Sequence, residues 1–414
     1  VEILSKGFKI KRYNSRIYQK NRSKSYSPLA VAGTIALLAG LFVVGWFVYP
    51  PIYDLLTGQP AVSQSSSSQP QPSSQPEEVP SGSKPEEQTP AVNSALKAVY
   101  VPFALVKDSA KLEAMLQQAS AAGYNALLFD VKDDTGKVLY NTENATAQDS
   151  AAVTQNPMDL KALTETLKKH KIQPVARLHT FKDHIMPKKN TEAAVHYQGQ
   201  EMLWLDNFAD KGGKPWLNPY STQAQNYNIE LAKECVDAGV AMVIADGVQF
   251  PNATGMNLAT FGDTQGKTWD QALNEFVAKM DDAVTSKGAR FAVAAPVSAV
   301  MESEGPKHLG KPYAYESTIA VNSMPSVWGA GNQAAGLTNP VQNPYDTVLN
   351  SLRTAQSKTK QKLLPFVQAY TDRKIPENNN KEYTKDDIAA QLKALDELKI
   401  DGHILYNPEG SYIF

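Results

Sequence analysis

From Ala98 onward, short apolar runs alternate with longer amphipathic ones, and this alternation restricts the possible folds more than any other feature of the chain. Strands are expected at Ala98–Phe103, Ala126–Val131, Gln173–His179, Met242–Ala245, Arg290–Ala294, Ser317–Val321, Leu363–Gln368 and Gly402–Tyr406. Helices are expected at Ala110–Ala122, Leu160–His170, Thr222–Ala238, Trp269–Ser286, Tyr345–Ser357 and Lys385–Leu398, with Gly123 and Gly239 as the clearest stops. Strands joined by crossover helices run parallel in one sheet. Eight of them predict a (β/α)8 TIM barrel with long loops, and alternation alone leaves an open doubly wound sheet as the other solution. The eight residues after Tyr406 are too few for a usual final helix.

The first hundred residues have a different character. Leu29 to Tyr49 carries no charge over 21 residues and is rich in Leu, Val, Ala and Phe, which is the length and composition of one transmembrane helix. Lys6, Lys9, Lys11, Arg12, Arg16, Lys20, Arg22 and Lys24 precede it, so the positive-inside bias puts the N-terminus in the cytoplasm and the C-terminal domain outside the cell. No small-x-small cleavage site follows, which favours an uncleaved signal anchor over a removed signal peptide. The next stretch is dominated by Ser, Pro, Gln and Glu and cannot bury enough apolar surface to offset its ordering entropy. The expected order is thus a basic cytoplasmic tail (1–28), a transmembrane helix (29–49), a disordered linker (50–96) and a barrel (97–414). A net charge of −1 gives no reason to expect a nucleic-acid partner, whereas residues 29–49 imply the lipid bilayer as one. The single cysteine, Cys235, excludes an intramolecular disulfide and reads as a buried small hydrophobe.

Barrel enzymes collect their functional groups at the C-terminal ends of the strands. That rule selects Asp130, Lys132, Asp133 and Asp134 after the second strand, Arg177, His179, Lys182 and Asp183 after the third, Asp246 at the end of the fourth, Gln368 at the seventh and Asn407 at the eighth. Side chains alternate along a strand, so Asp130 with Lys132, and Arg177 with His179, should share a face. Converging carboxylates suit glycosidic cleavage, which uses one acid to protonate the leaving oxygen and a second carboxylate as nucleophile or base. The same charges also fit a structural ion-pair network, and the Asp130, Asp133, Asp134 triplet could supply oxygen ligands to calcium, although the full loop pattern is missing and no metal or cofactor is expected. Trp204 and Trp216 flank a polar loop where sugar-stacking aromatics would lie. There is no HExxH, no GxSxG elbow, no Walker loop and no GxGxxG after a strand.

Several segments together carry a family likeness: Leu128-Phe-Asp-Val-Lys-Asp-Asp134 with Gly136, Val175-Ala-Arg-Leu-His-Thr-Phe-Lys-Asp183, Trp216-Leu-Asn-Pro-Tyr220, Asp246-Gly-Val-Gln-Phe-Pro251, Pro365-Phe-Val-Gln368 and Ile404-Leu-Tyr-Asn-Pro408. From Lys97 to Phe414 the chain resembles the glycosyl hydrolase (TIM-barrel) domain family of bacterial surface proteins, which is related to the α-amylase-like barrels. The resemblance implies an eight-stranded barrel with Asp246 as nucleophile or stabiliser. The strand-end rule supplies Asp130 and Asp133 as orienting groups and Lys132, Arg177, His179, Gln368 and Asn407 as substrate contacts, to which the loop-flanking Trp204 and Trp216 are added. Two departures stand out. The family pattern Asp-Tyr-x-Arg-Phe-Pro has Gly247 and Gln249 here, and the acid near the end of the fifth strand is absent from Ala294-Ala-Pro-Val-Ser298. Glu302, Glu304 and Glu316 are loop replacements that position does not rank.

Two functions follow from this reading. One is a membrane-anchored, extracytoplasmic glycoside hydrolase acting on cell-surface or environmental polysaccharide. The other is a degenerate barrel that binds carbohydrate or a cell-envelope protein without turnover. A second carboxylate about 5–9.5 Å from Asp246 would favour the first.

Overall fold

The computed structural model describes residues 95–302, 306–329, 331–332 and 335–414. The expected tail, transmembrane helix and almost all of the linker lie outside the described residues. Among those described, no helix is long and apolar enough to cross a membrane.

Eight parallel strands form the centre: β1 (Lys97–Tyr100), β2 (Ala126–Lys132), β3 (Gln173–His179), β4 (Met242–Asp246), β5 (Arg290–Pro296), β6 (Thr318–Asn322), β7 (Phe366–Gln368) and β8 (His403–Tyr406). β1 pairs with β2 on one side and with β8 on the other, so the sheet closes and the open alternative is excluded. Helices α1 (Ser109–Ala121), α2 (Leu160–Lys169), α3 (Thr222–Asp237), α4 (Trp269–Thr285), α5 (Pro344–Lys358) and α6 (Lys385–Glu397) follow β1 to β4, β6 and β7. Only the five-residue helix Val297–Met301 follows β5 directly. After β8 the segment to Phe414 packs back onto the barrel: the Tyr412 hydroxyl donates to the Tyr100 carbonyl (2.6 Å), and the Phe414 ring lies 5.6 Å from Tyr124.

Local chemistry explains these boundaries. The side chains of Asp108, Asp159, Ser221 and Thr268 accept backbone N–H groups of the first turns of α1, α2, α3 and α4, which those turns cannot satisfy themselves. Helix α3 stops where Gly239 takes φ +96°, a conformation that side chains with a Cβ rarely adopt. β1 is shorter than expected because Phe103–Val106 turns into a helix after Pro102. β7 begins only at Phe366, since Pro365 has no N–H for the ladder, and Leu363 is left with a single bridge to Ile319.

Strand alternation divides the core in two. Ala98, Tyr100, Leu128, Val175, Ile244, Ala292, Ala320 and Ile404 fill the barrel, while Val99, Leu127, Phe129, Ala176, Val243 and Val293 face the helices. Cys235 is fully buried in that outer layer, as the sequence reading expects. Two unanticipated strands, Val138–Tyr140 and Val153–Met158, extend the sheet from the end of β2, with Val138 opposite Lys132.

Candidate active site

At the C-terminal mouth, β2, β3 and β4 bring three charged groups into line. Their register sets Asp130 opposite Arg177 and His179 opposite Asp246. Arg177 donates to both oxygens of Asp130, from Nε to Oδ1 at 2.6 Å and from Nη2 to Oδ2 at 3.1 Å, and the Tyr100 hydroxyl donates to Oδ2 at 2.8 Å. The guanidinium centre lies 5.0 Å from the Tyr100 ring and 5.6 Å from the Tyr406 ring, and these two rings, 4.7 Å apart, pack side by side against the cation. Burial alone would raise the Asp130 pKa, but Arg177, with His179 and Tyr100 behind it, holds it below the usual carboxylate range. Burial opposes the Arg177 charge too, yet Asp130 and then Asp246 push its pKa up, so the group stays a cation. Burial, followed by Asp130, pushes the Tyr100 hydroxyl well up and fixes it as a donor.

Asp246 stands at the edge of this network. Its Oδ2 lies 3.8 Å from Arg177 Nη1 and 3.7 Å from His179 Nε2, and its Oδ1 accepts the Gly247 amide at 2.7 Å. The Thr180 amide and hydroxyl both donate to its carbonyl (2.8 and 3.0 Å), which pins its backbone to β3. β3 thus brings the Arg177 guanidinium to within 3.8 Å of the Asp246 carboxylate, while its hydrogen bonds go to Asp130.

A cleft of about 370 Å³ opens above, lined among others by Arg177, Asp246, Gln249, Asn322, Asp372 and Tyr406. Asp372 is the second carboxylate of that lining, carried on the loop after β7, with its Oδ1 accepting the Lys374 amide at 3.0 Å. Sequence reasoning missed it because it lies four residues beyond the end of β7, where strand periodicity no longer says which way a side chain points. Position in a strand-to-helix loop was the available signal. The proposed replacements do not compensate: Glu302 is exposed and outside the cleft lining, Glu316 lines a separate recess with Leu96, Met242 and Arg290 at the opposite end of the barrel, and Glu304 lies outside the described residues.

Lys132 is placed differently from expectation. A bulge in β2 sets Asp130 opposite Arg177 but Lys132 opposite Leu178, which rotates Lys132 out of the barrel into the helix layer. There it is fully buried, ion-paired with Asp183 at 2.8 Å, bonded to the Thr180 carbonyl and to Asn228 Oδ1, and 4.8 Å from the Tyr227 ring. Burial pushes its ammonium below the usual lysine range against the pull of Asp183. Gly136 belongs to the same knot, because a Cβ there would stand 2.2 Å from Asp183 Oδ1.

Asp133 is a turn residue. Its Oδ1 accepts the amides of Thr135 and Lys137 (both 2.9 Å) and the Thr135 hydroxyl (2.7 Å). Asp134 pairs with Lys182 at 2.7 Å, so Asp130, Asp133 and Asp134 point to three different partners instead of to one cation. Gln368 is fully buried, spending its side chain on the Ser326 amide and the Tyr370 carbonyl. Asn407 is buried as well, bonding the Ala369 and Ser411 carbonyls and the Glu409 amide. Trp204 and Trp216 pack with Val195 in a loop core, their indole N–H groups donating to the Gly255 carbonyl (3.1 Å) and to Asp206 (3.0 Å). Their rings cannot form a sugar platform, because Trp204 is 0% and Trp216 5% exposed.

The architecture agrees with that of other barrels. The glycoside hydrolase domain of PgaB (BpsB) from Bordetella bronchiseptica is 12% identical, with 76% of this chain and 95% of that one covered and a TM-score of 0.54, a likeness of fold alone. A hypothetical protein from Ruminiclostridium thermocellum is 27% identical over 47% of this chain and 96% of its own, at a TM-score of 0.42. A chitinase from Chromobacterium violaceum is 14% identical over 76% of this chain and 94% of its own, also at 0.42. No curated protein matches the chain in sequence. The family model described as "Putative glycosyl hydrolase domain" matches residues 98–412, nearly the whole barrel, and the chain belongs to that family.

Proposed function

We propose that the barrel hydrolyses glycosidic bonds of a cell-surface or environmental polysaccharide, displayed outside the cell on the anchor and linker of residues 29–96. The observation that carries this reading is the pairing of Asp246 and Asp372 in one cleft, since glycosidic cleavage needs two carboxylates about the same bond. Asp246 acts at the anomeric carbon as nucleophile or electrostatic stabiliser. Arg177 and His179 orient it, and Asp130 with Tyr100 holds Arg177 in place. Asp372 protonates the leaving oxygen. The absence of an acid on β5, where Ala294 and Pro296 line the cleft, favours a second reading in which the cleft binds a glycan without turnover.

Reducing-end release and binding, measured together on a panel of cell-wall and plant glycans, separate the two. The hydrolytic reading expects turnover that Asp246→Asn abolishes and Asp372→Asn lowers by about 10²–10⁴-fold. Binding with no turnover from the unmodified chain would replace it with the second reading.

A further inference from the structure

Asp372 sits beyond the regular part of β7, so its reach is set by whatever holds its loop. Each residue from Ala369 to Asp372 has such a partner. The Ala369 carbonyl accepts Asn407 Nδ2 and the Tyr370 carbonyl accepts Gln368 Nε2, both at 3.0 Å. The Thr371 hydroxyl accepts the Tyr383 amide at 2.9 Å. The Asp372 carbonyl accepts Asn380 Nδ2, also at 2.9 Å. Gln368 and Asn407 thus tie the root of the loop to the barrel, and of these three side chains it is Asn380 that grips the acid's own backbone.

Asn380 is itself held. Its Oδ1 accepts the Lys381 amide at 2.9 Å, which leaves Nδ2 to bridge the Asp372 and Ile375 carbonyls at 2.9 and 3.4 Å. Lys381 Nζ reaches Asp387 Oδ1 in the first turn of α6 at 2.5 Å and so anchors the grip to a helix. The Asp372 carboxyl uses Oδ1 to accept the Lys374 amide at 3.0 Å, and its Oδ2 has no partner among the described residues. A proton carried on Oδ2 is therefore shared with no other group of the chain. Asn380 stands outside the cleft lining, so it acts on the site only through Asp372.

We infer that Asn380 is the positioning residue of Asp372: by fixing the acid's carbonyl it sets how far the carboxyl reaches toward the leaving oxygen. This rests on the hydrolytic reading above and names what aims its acid. In that reaction the glycosidic C–O bond breaks, and its electron pair and the Asp372 proton both end on the leaving oxygen. The water then added at the anomeric carbon returns a proton to Asp372. A dinitrophenolate departs without that proton, whereas an alcohol needs it. The full chain in detergent is therefore assayed on methyl and dinitrophenyl glycosides of glucose, galactose and N-acetylglucosamine and of their disaccharides, in both anomers. Asn380→Ala should lower kcat on the methyl glycosides by about 10–100-fold with KM unchanged, and on the dinitrophenyl glycosides by less than about twofold. Asn380→Asp, which has the same size and serves if the alanine variant does not fold, sets an oxygen against the two carbonyls and should show the same split. Asp372→Asn should show it more strongly. Equal losses on both kinds of glycoside, or an unchanged kcat on the methyl glycosides, overturn the inference; a split that persists in Asp372→Asn then leaves the hydrolytic reading standing. If Asp372→Asn shows no split, Asp372 is not the acid and both fall. No turnover of any of these glycosides by the unmodified chain also removes both.

Discussion

Replacing Lys132 by methionine tests the reassignment of this residue from the mouth to the helix layer. Methionine keeps the length of the stem and removes the charge. The loss comprises an ion pair of 2.8 Å to Asp183, hydrogen bonds to the Thr180 carbonyl and Asn228, and the contact with the Tyr227 ring. The Asp183 carboxylate, itself fully buried, keeps only the Ile185 and Met186 amides on its Oδ1 (both 2.9 Å). Breaking a buried pair on one side costs ~3–5 kcal/mol, because an uncompensated charge stays behind. With a denaturant slope near the upper end of ~1–3 kcal/mol per M, the urea midpoint should fall by roughly 1–2 M. The double variant Lys132→Met, Asp183→Asn removes that stranded charge while leaving an oxygen for the two amides, so it should recover part of the loss. Glycan affinity of the protein that remains folded should match the unmodified chain. An unchanged midpoint combined with lost glycan binding would return Lys132 to the mouth and refute the bulge as the decisive feature.

Two further outcomes follow from the geometry. Burial, with a smaller contribution from Lys97, lowers His403 to about 4. The unfolded chain, with its histidine near ~6.5, therefore binds more protons between those values, and stability is full above pH ~6.5 and declines as pH falls towards 4. The loss is on the order of 3 kcal/mol, measurable as urea midpoints across that range, and His403→Leu should flatten the profile; an equally steep decline in the variant would reject the assignment. Trp204→Ala should cost ~3–5 kcal/mol because the ring is fully enclosed. Trp204→Phe, which gives up mainly the bond to Gly255, should lose about 1 kcal/mol and keep glycan binding, whereas lost binding at full stability would restore the indole as a sugar platform.

Much of the fold could be read locally. Apolar alternation located all eight barrel strands to within a few residues, because a parallel strand buried on both faces leaves an apolar run that few other elements leave. Asp246, Arg177 and Asp130 were placed correctly for the same reason: regular strands carry a period of two up to their ends, and these residues lie within it. Where that regularity failed, so did the reading. Lys132 is one step of the period, two residues, beyond Asp130, but the bulge between them depends on how β2 pairs with β3, a partner distant in the chain. Gln368 and Asn407 end their strands as anticipated, yet their amides serve the loops Ser326, Tyr370, Ala369 and Ser411, which no local pattern announces.

The sequence by itself determined the eight strands, their parallel order and the carboxylate at the end of the fourth, because periodicity and burial are written residue by residue, whereas the pairing of β1 with β8 decided that the sheet closes into a barrel. Tertiary structure alone decided which charges reach the cleft. It turned Lys132 outward, closed Trp204 and Trp216 into a loop core, packed Arg177 against two neighbouring tyrosine rings and brought Asp372 into the lining. Each of those outcomes rests on contacts between segments distant in the chain, and a side chain's destination there is set by whichever partner best compensates its lost water.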